Sequence, residues 1–198
     1  MEDILQIITQ LNFNWSIIES IAVFFSILYV VLAMKENIWC WWAAAISVIL
    51  YIYICYSAQL YAETGLQFFY LLMAIYGYFQ WNKNDSNLKI QQWTTAKHLL
   101  ILLLGAFLTF LMGFYFSIYT NAAMPLVDSF TTVFSVFATF MVTKKVLGNW
   151  LYWIVIDAVS VYLYFSRGLQ LTSLLFIAYT IIAVFGYLSW LKRNNEIA

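Results

Sequence analysis

Long apolar stretches, separated by short runs that hold most of the charged and turn-forming residues, fill the chain from Ile17 onward. The pattern predicts seven helices near 17–34, 39–57, 65–81, 97–116, 126–142, 150–166 and 170–191. Each stretch is about 17 to 22 residues long, the length that carries an α-helix across a hydrocarbon core. Helices are required because a segment in lipid must satisfy its own backbone hydrogen bonds. Upstream, Ile4, Leu5, Ile7, Ile8 and Leu11 recur at roughly helical spacing. A short helix lying at the interface and an unstructured tail both fit that segment.

Composition agrees with an all-α membrane protein. Of 198 residues, 65% are apolar, 21% aromatic and 9% charged, whereas soluble domains are about one quarter charged. Seven spans of about 20 residues use about 140 positions and leave no room for a separate soluble domain. Residues 1–198 therefore read as one integral membrane domain. Nine basic and nine acidic residues cancel, so there is no basic surface to attract nucleic acid. Met1-Glu2-Asp3 lacks the positive start of a cleavable leader, so the first span is expected to stay.

Seven spans place the termini on opposite sides, and the basic residues then segregate. One side receives Lys35, Lys83, Lys89, Lys97, Lys144, Lys145, Lys192 and Arg193; the other receives Arg167 alone. The positive-inside rule puts the N-terminus outside and the C-terminus in the cytoplasm.

Shifting the chain by 109 residues lays Glu19-Ser20 on Asp128-Ser129, Ser26 on Ser135, Lys35 on Lys144 and Trp41 on Trp150. The same shift lays Tyr53 on Tyr162, Ser57 on Ser166, Tyr70 on Tyr179, and Gly77-Tyr78 with Trp81 on Gly186-Tyr187 with Trp190. Coincident polar and glycine positions argue for a true repeat, since apolar matches arise cheaply among aromatic-rich helices. Repeat one covers about 17–81 and repeat two about 126–191, with a linker helix at about 97–116 between them. Three spans plus one return the chain to its starting side, so the repeats are expected to be parallel. Parallel repeats about an axis along the membrane normal are a transporter plan, with the substrate near the midplane.

Three acids fall within spans. Glu19 and Asp128 are repeat partners near outer helix ends, where capping or structural roles suffice. Asp157 lies deep in the sixth span, where a carboxylate costs about 2.5–3.5 kcal/mol and so faces a cavity, a partner or a substrate. Trp150, Trp153 and Asp157 follow i, i+3, i+7 spacing and share a helical face. Two indoles beside an acid suit an aromatic cation, although Trp150 also fits the interfacial aromatic belt. On the third span Thr64, Gln67 and Tyr70 can line a groove; Gln67 can bond a neighbouring helix or a polar ligand. Thr131, Thr132 and Ser135 on the fifth span, and Ser47 with Tyr51 on the second, can add hydroxyls. Hydroxyls in helices also bond their own backbone.

Other chemistry finds little support. His98 is isolated beside Lys97, and Cys40 and Cys55 stand at opposite ends of one helix, too far apart for a disulfide. No phosphate-cradling glycine loop, zinc-protease helix or nucleophile elbow occurs, so neither an enzyme nor a cofactor is expected. A retinal-type receptor would want a lysine deep in its last span, but that span reaches Lys192 only at its end.

Taken together, Gln67-x-x-Tyr70 with Gly77-x-x-x-Trp81, Asp128-Ser129-x-Thr131-Thr132, Trp150-x-x-Trp153-x-x-x-Asp157 and Gly186-x-x-x-Trp190 resemble the PnuC family of bacterial vitamin transporters over nearly the whole chain. The resemblance implies a SWEET-like arrangement of three helices plus one plus three. It also implies facilitated diffusion of nicotinamide riboside across the inner membrane by alternating access, with a cytoplasmic kinase trapping the vitamin. Relatives carry thiamine or riboflavin, and thiamine, another cationic ring, is the nearest rival substrate. Carried onto this chain, Trp150 and Trp153 would hold the pyridinium ring, and Gln67, Tyr70 and Asp157 would meet its amide or ribose. Thr131, Thr132 and Tyr179 would complete the site. The family also implies a homo-oligomer, a trimer in which each protomer has its own pathway.

Overall fold

The computed structural model describes residues 17–57, 61–82, 88–120 and 122–197. Seven helices occupy them: α1 Ile17–Met34, α2 Cys40–Ser57, α3 Tyr61–Trp81, α4 Thr95–Tyr119, α5 Pro125–Thr143, α6 Asn149–Ser166 and α7 Gln170–Ile197. They follow the hydrophobic stretches closely, except that α3 starts earlier than expected and α7 runs on past its apolar stretch. The amphipathic segment 1–14 lies outside the described residues.

By length and apolarity α1, α2, α4, α5 and α7 are fit to cross a membrane. The remaining two carry more polar residues: Glu63, Thr64 and Gln67 in α3, Asn149 and Asp157 in α6. Large apolar side chains such as Leu103, Phe110 and Phe114 of α4 point outward. That distribution inverts the rule for soluble proteins and is stable only where lipid covers it.

Within the bundle α2 lies between α1 and α3, and α6 between α5 and α7. The two triplets meet where α1 packs on α7 and α3 on α5. Under the 109-residue shift α1 becomes α5 and α3 becomes α7, so the repeat exchanges these two interfaces. The turns after α1 and α5 lie together, because Lys145 Nζ is 2.9 Å from Glu36 Oε2. Helices α1 and α5 therefore end on the same side, and the triplets are parallel.

The same joint is built twice. A Cβ added to Gly77 would stand 2.4 Å from the Trp41 ring, and one on Gly186 would stand 2.6 Å from the Trp150 ring. Only glycine lets these indoles lie against the neighbouring helix. Trp41 meets Trp81 edge-on at 5.2 Å, and Trp150 meets Trp190 edge-on at 5.4 Å. The Trp81 indole N–H donates to the Thr143 carbonyl at 3.2 Å, and that of Trp190 donates to the Met34 carbonyl at 3.1 Å. Thr143 and Met34 are themselves repeat partners, and their carbonyls end helices that cannot satisfy them internally. Four tryptophans thus stitch the triplets together at the end that carries most of the basic residues.

Linker helix α4 packs chiefly on α5. Gly105 accepts the Phe134 ring, Gly113 accepts Leu126, and the His98 ring lies against Gly148, with His98 Nδ1 3.2 Å from the Tyr152 hydroxyl. The corresponding groove on repeat one, lined by Phe25, Leu32, Trp39, Trp42 and Ile46, is an open apolar trough of about 280 Å³.

Candidate functional site

Halfway along the helices, the interface between the triplets changes from rings to hydroxyls. Ser26 of α1 donates to the Val23 carbonyl at 2.8 Å, leaving the Tyr179 hydroxyl of α7 to donate to the Ser26 oxygen. Across the other interface, Tyr70 of α3 and Ser135 of α5, the repeat-related pair, face each other. Each triplet thus contributes one serine and one tyrosine, and each pair spans the joint. Tyr29 is an electrostatic neighbour of Tyr70, and Tyr51 is one of both Tyr179 and Tyr164. The ring of Tyr164 stacks on Phe176 at 5.1 Å.

Asp157 enters this layer from α6. Its residue surface is 4% exposed, and the Tyr179 hydroxyl is within its electrostatic reach. Among the described residues no Lys, Arg or His forms an ion pair with it. The sequence explains why: every described lysine and arginine stands in a turn or near a helix end. A buried carboxylate without a protein cation is costly, so burial favours the protonated carboxyl unless a positive group comes beside it.

The other expected site residues divide. Trp153 is partly buried one turn inward of Asp157, packed between the two apolar clusters of the core. Gln67, half-buried, lies one turn outward of Tyr70 on α3, and Thr132 is half-buried on α5. Thr131 turns its hydroxyl back to its own helix, donating to the carbonyls of Val127 at 3.2 Å and Asp128 at 3.0 Å. Trp150 does not sit with them: it is 2% exposed and wedged among Gly186 and Trp190 in the tryptophan joint. Asp128 pairs with Arg167 at 2.6 Å at the opposite end of the bundle, tying α5 to the α6–α7 turn. Glu19 is an electrostatic neighbour of Tyr51.

Three contributors, Ser26, Tyr29 and Tyr164, escape a search for charged or amide groups. One signal does point to Ser26: it coincides with Ser135 in the repeat, as Tyr70 does with Tyr179, and polar coincidences are the informative ones. Chemically, the layer offers one buried carboxyl, several hydroxyls that donate or accept, and a nearby indole. It can solvate a small flat cation that also carries hydroxyl groups, but it has no cation for a phosphate.

Comparison with known proteins agrees with this architecture. A family model described as nicotinamide mononucleotide transporter matches residues 16–192. The nicotinamide riboside transporter PnuC of Escherichia coli K12 is 27% identical, the match covering 93% of this chain and 89% of that protein. The riboflavin/roseoflavin transporter RibM of Streptomyces davaonensis is 21% identical, over 83% of this chain and 80% of the relative. A crystal structure of the vitamin B3 transporter PnuC superposes with a TM-score of 0.76 at 25% identity, covering 99% of this chain and 89% of that one. With parallel helix triplets, a hydroxyl layer between them and a family match along nearly its whole length, the chain belongs to the PnuC, or nicotinamide mononucleotide transporter, family of membrane transporters.

Proposed function

We propose that this protein takes up nicotinamide riboside across the bacterial inner membrane by facilitated diffusion, opening alternately to the two sides. The observation that carries the reading is Asp157, a buried acid with no protein cation paired to it among the described residues. A pyridinium ring supplies that cation, and the face of Trp153 adds about 0.5–2 kcal/mol of cation–π attraction. The ribose hydroxyls replace the hydrogen bond that Tyr179 makes to Ser26 and take up the facing hydroxyls of Tyr70 and Ser135. Gln67 and Thr132, one turn outward, reach the carboxamide.

The same chemistry separates the riboside from its phosphorylated form. A phosphate brings about 1.5 to 2 negative charges into a buried layer where no described Lys or Arg pairs with Asp157. The mononucleotide is therefore excluded by its desolvation cost, and phosphorylation of the vitamin by a cytoplasmic kinase makes uptake one-way without any energy source in the transporter. By the positive-inside rule the N-terminus is outside and the C-terminus cytoplasmic. The outward face of α4, which its own chain leaves bare, suits contact with lipid or with neighbouring copies in a homo-oligomer.

Proteoliposomes holding only this protein should equilibrate labelled nicotinamide riboside without an ion gradient, and nicotinamide mononucleotide should not compete. Failure by well-folded protein would sink the proposal. Thiamine is the second reading, since its thiazolium satisfies Asp157 equally well. Thermal stabilisation by one vitamin and not the other distinguishes them, because a ligand that binds only folded protein raises its melting temperature.

A further inference from the structure

Both turns at the basic end of the bundle are built alike. Glu36 N–H donates to the Ala33 carbonyl at 2.9 Å and Asn37 N–H to that of Leu32 at 3.0 Å; Lys145 N–H donates to Val142 at 2.9 Å and Val146 N–H to Met141 at 3.0 Å. These are Schellman ends, whose turning residue takes a left-handed conformation and is usually glycine. The α6–α7 turn at the opposite end obeys that preference with Gly168 at φ 74°. At the basic end, however, Glu36 has φ 54° and Lys145 has φ 50°. A side chain in this region is strained, and strain persists where surrounding structure imposes it.

What those strained positions achieve is a meeting of opposite charges. Glu36 and Lys145 are repeat partners, 109 residues apart, so the one acid and one base that differ between the turns face each other across the joint. Lys145 Nζ bonds Glu36 Oε2 at 2.9 Å, and Arg193 Nη1 of α7 bonds Glu36 Oε1 at 2.9 Å and the Lys35 carbonyl at 3.1 Å. Burial raises the Glu36 pKa, but hydrogen bonds and charge from Arg193 and Lys145 outweigh it and hold the group below its ordinary value. Lys145 also lies over the Trp81 ring at 4.7 Å, so the ionic cluster caps the four-tryptophan joint. Nothing comparable links the triplets at the other end among the described ion pairs, where Arg167 and Asp128 both belong to repeat two.

We propose that Glu36, Lys145 and Arg193 form the inner latch of the transport cycle, which must break for the triplets to part and release substrate to the cytoplasm. This rests on the transporter reading but not on the identity of the vitamin. The protein carries its own reporter. Cys40 and Cys55 are its two cysteines; Cys40 opens α2 beside the latch and is 0% exposed, in the same cluster as Trp41 and Trp190.

With Cys55→Ser as background, a membrane-impermeant maleimide applied to the Lys-rich side should label Cys40 slowly in substrate-free vesicles. Glu36→Gln should speed labelling roughly tenfold, by shifting the closed-to-open ratio. Glu36→Gln with Lys145→Met should add little to either single change, because partners in one interaction are not additive. Lys192→Gln, which removes an exposed pair 4.0 Å apart on α7, should leave the rate alone. Unchanged labelling in Glu36→Gln protein would overturn the latch. So would an equal rise at Cys55 in a Cys40→Ser background, which would mean general loosening. Should Glu36→Gln fail to fold, Arg193→Lys loosens the cluster more gently and should still speed Cys40 labelling. Because no vitamin is added, a negative result here is distinct from a failure of riboside transport.

Discussion

Where repeat two has Trp153 and Asp157, repeat one has Ala44 and Val48; where repeat two has Thr131 and Thr132, repeat one has Ala22 and Val23. Against that divergence stand the shared positions: Trp41 and Trp150 on their glycines, Trp81 and Trp190 bonded across the joint, and serine–tyrosine pairs at Ser26 with Tyr179 and Ser135 with Tyr70. Residues that join the triplets, the serine–tyrosine pairs included, are duplicated, whereas the acid, the indole beside it and the two threonines are not. Physics accounts for both. Two parallel triplets meet through equivalent interfaces, so whatever packs well at one packs well at the other. A vitamin with a charged ring at one end and a sugar at the other has no two-fold symmetry, and its partners need none.

The largest expected effects belong to the shared set. Trp190→Ala should cost about 3–5 kcal/mol, the range for deleting a buried large aromatic, and Trp81→Ala less, since Trp81 is only partly buried whereas Trp190 is 0% exposed. Thermal unfolding in detergent would rank them, and equal stability of wild type and both variants would end the claim that this joint holds the halves together.

Next come the unshared residues, whose loss should affect binding more than folding. Trp153→Ala and Asp157→Asn should each weaken nicotinamide riboside binding roughly tenfold, about 1.4 kcal/mol. Melting without ligand should change less than in Trp190→Ala. Moving the acid to the other repeat, as Asp157→Val with Val48→Asp, should not restore affinity, because Ala44 offers no ring beside it. Recovery of binding would show the two halves to be interchangeable after all.

Smallest is the Arg167–Asp128 ion pair. Arg167→Gln should cost at most about 1 kcal/mol, because both partners are roughly one-third exposed and water competes for them. A large loss of riboside affinity would instead make Asp128 part of the pathway.

The helices, their order and the direction of the repeats were legible because each rests on a long-range regularity: apolar length, charge sidedness and a constant 109-residue offset. The hydroxyl layer was half legible. Tyr70, Tyr179 and Asp157 stood out as polar groups in apolar helices, whereas Tyr29 and Tyr164 were hidden among the chain's fifteen tyrosines. Nothing local marked Glu36 or Lys145, since charged residues in a turn are ordinary until their partners are known.

From the residues alone, then, come seven helices, a membrane setting and two like-pointing halves, because lipid dictates segment length and satisfied backbone for any chain crossing it. Tertiary structure decided that Trp150 braces a joint while Trp153, one turn on, lies beside the buried acid. It also decided that Thr131 bonds its own helix and that two strained turns meet in an ion cluster. Helical spacing says which positions share a face, but only the neighbouring helix determines whether that face meets a glycine, a hydroxyl or a charge.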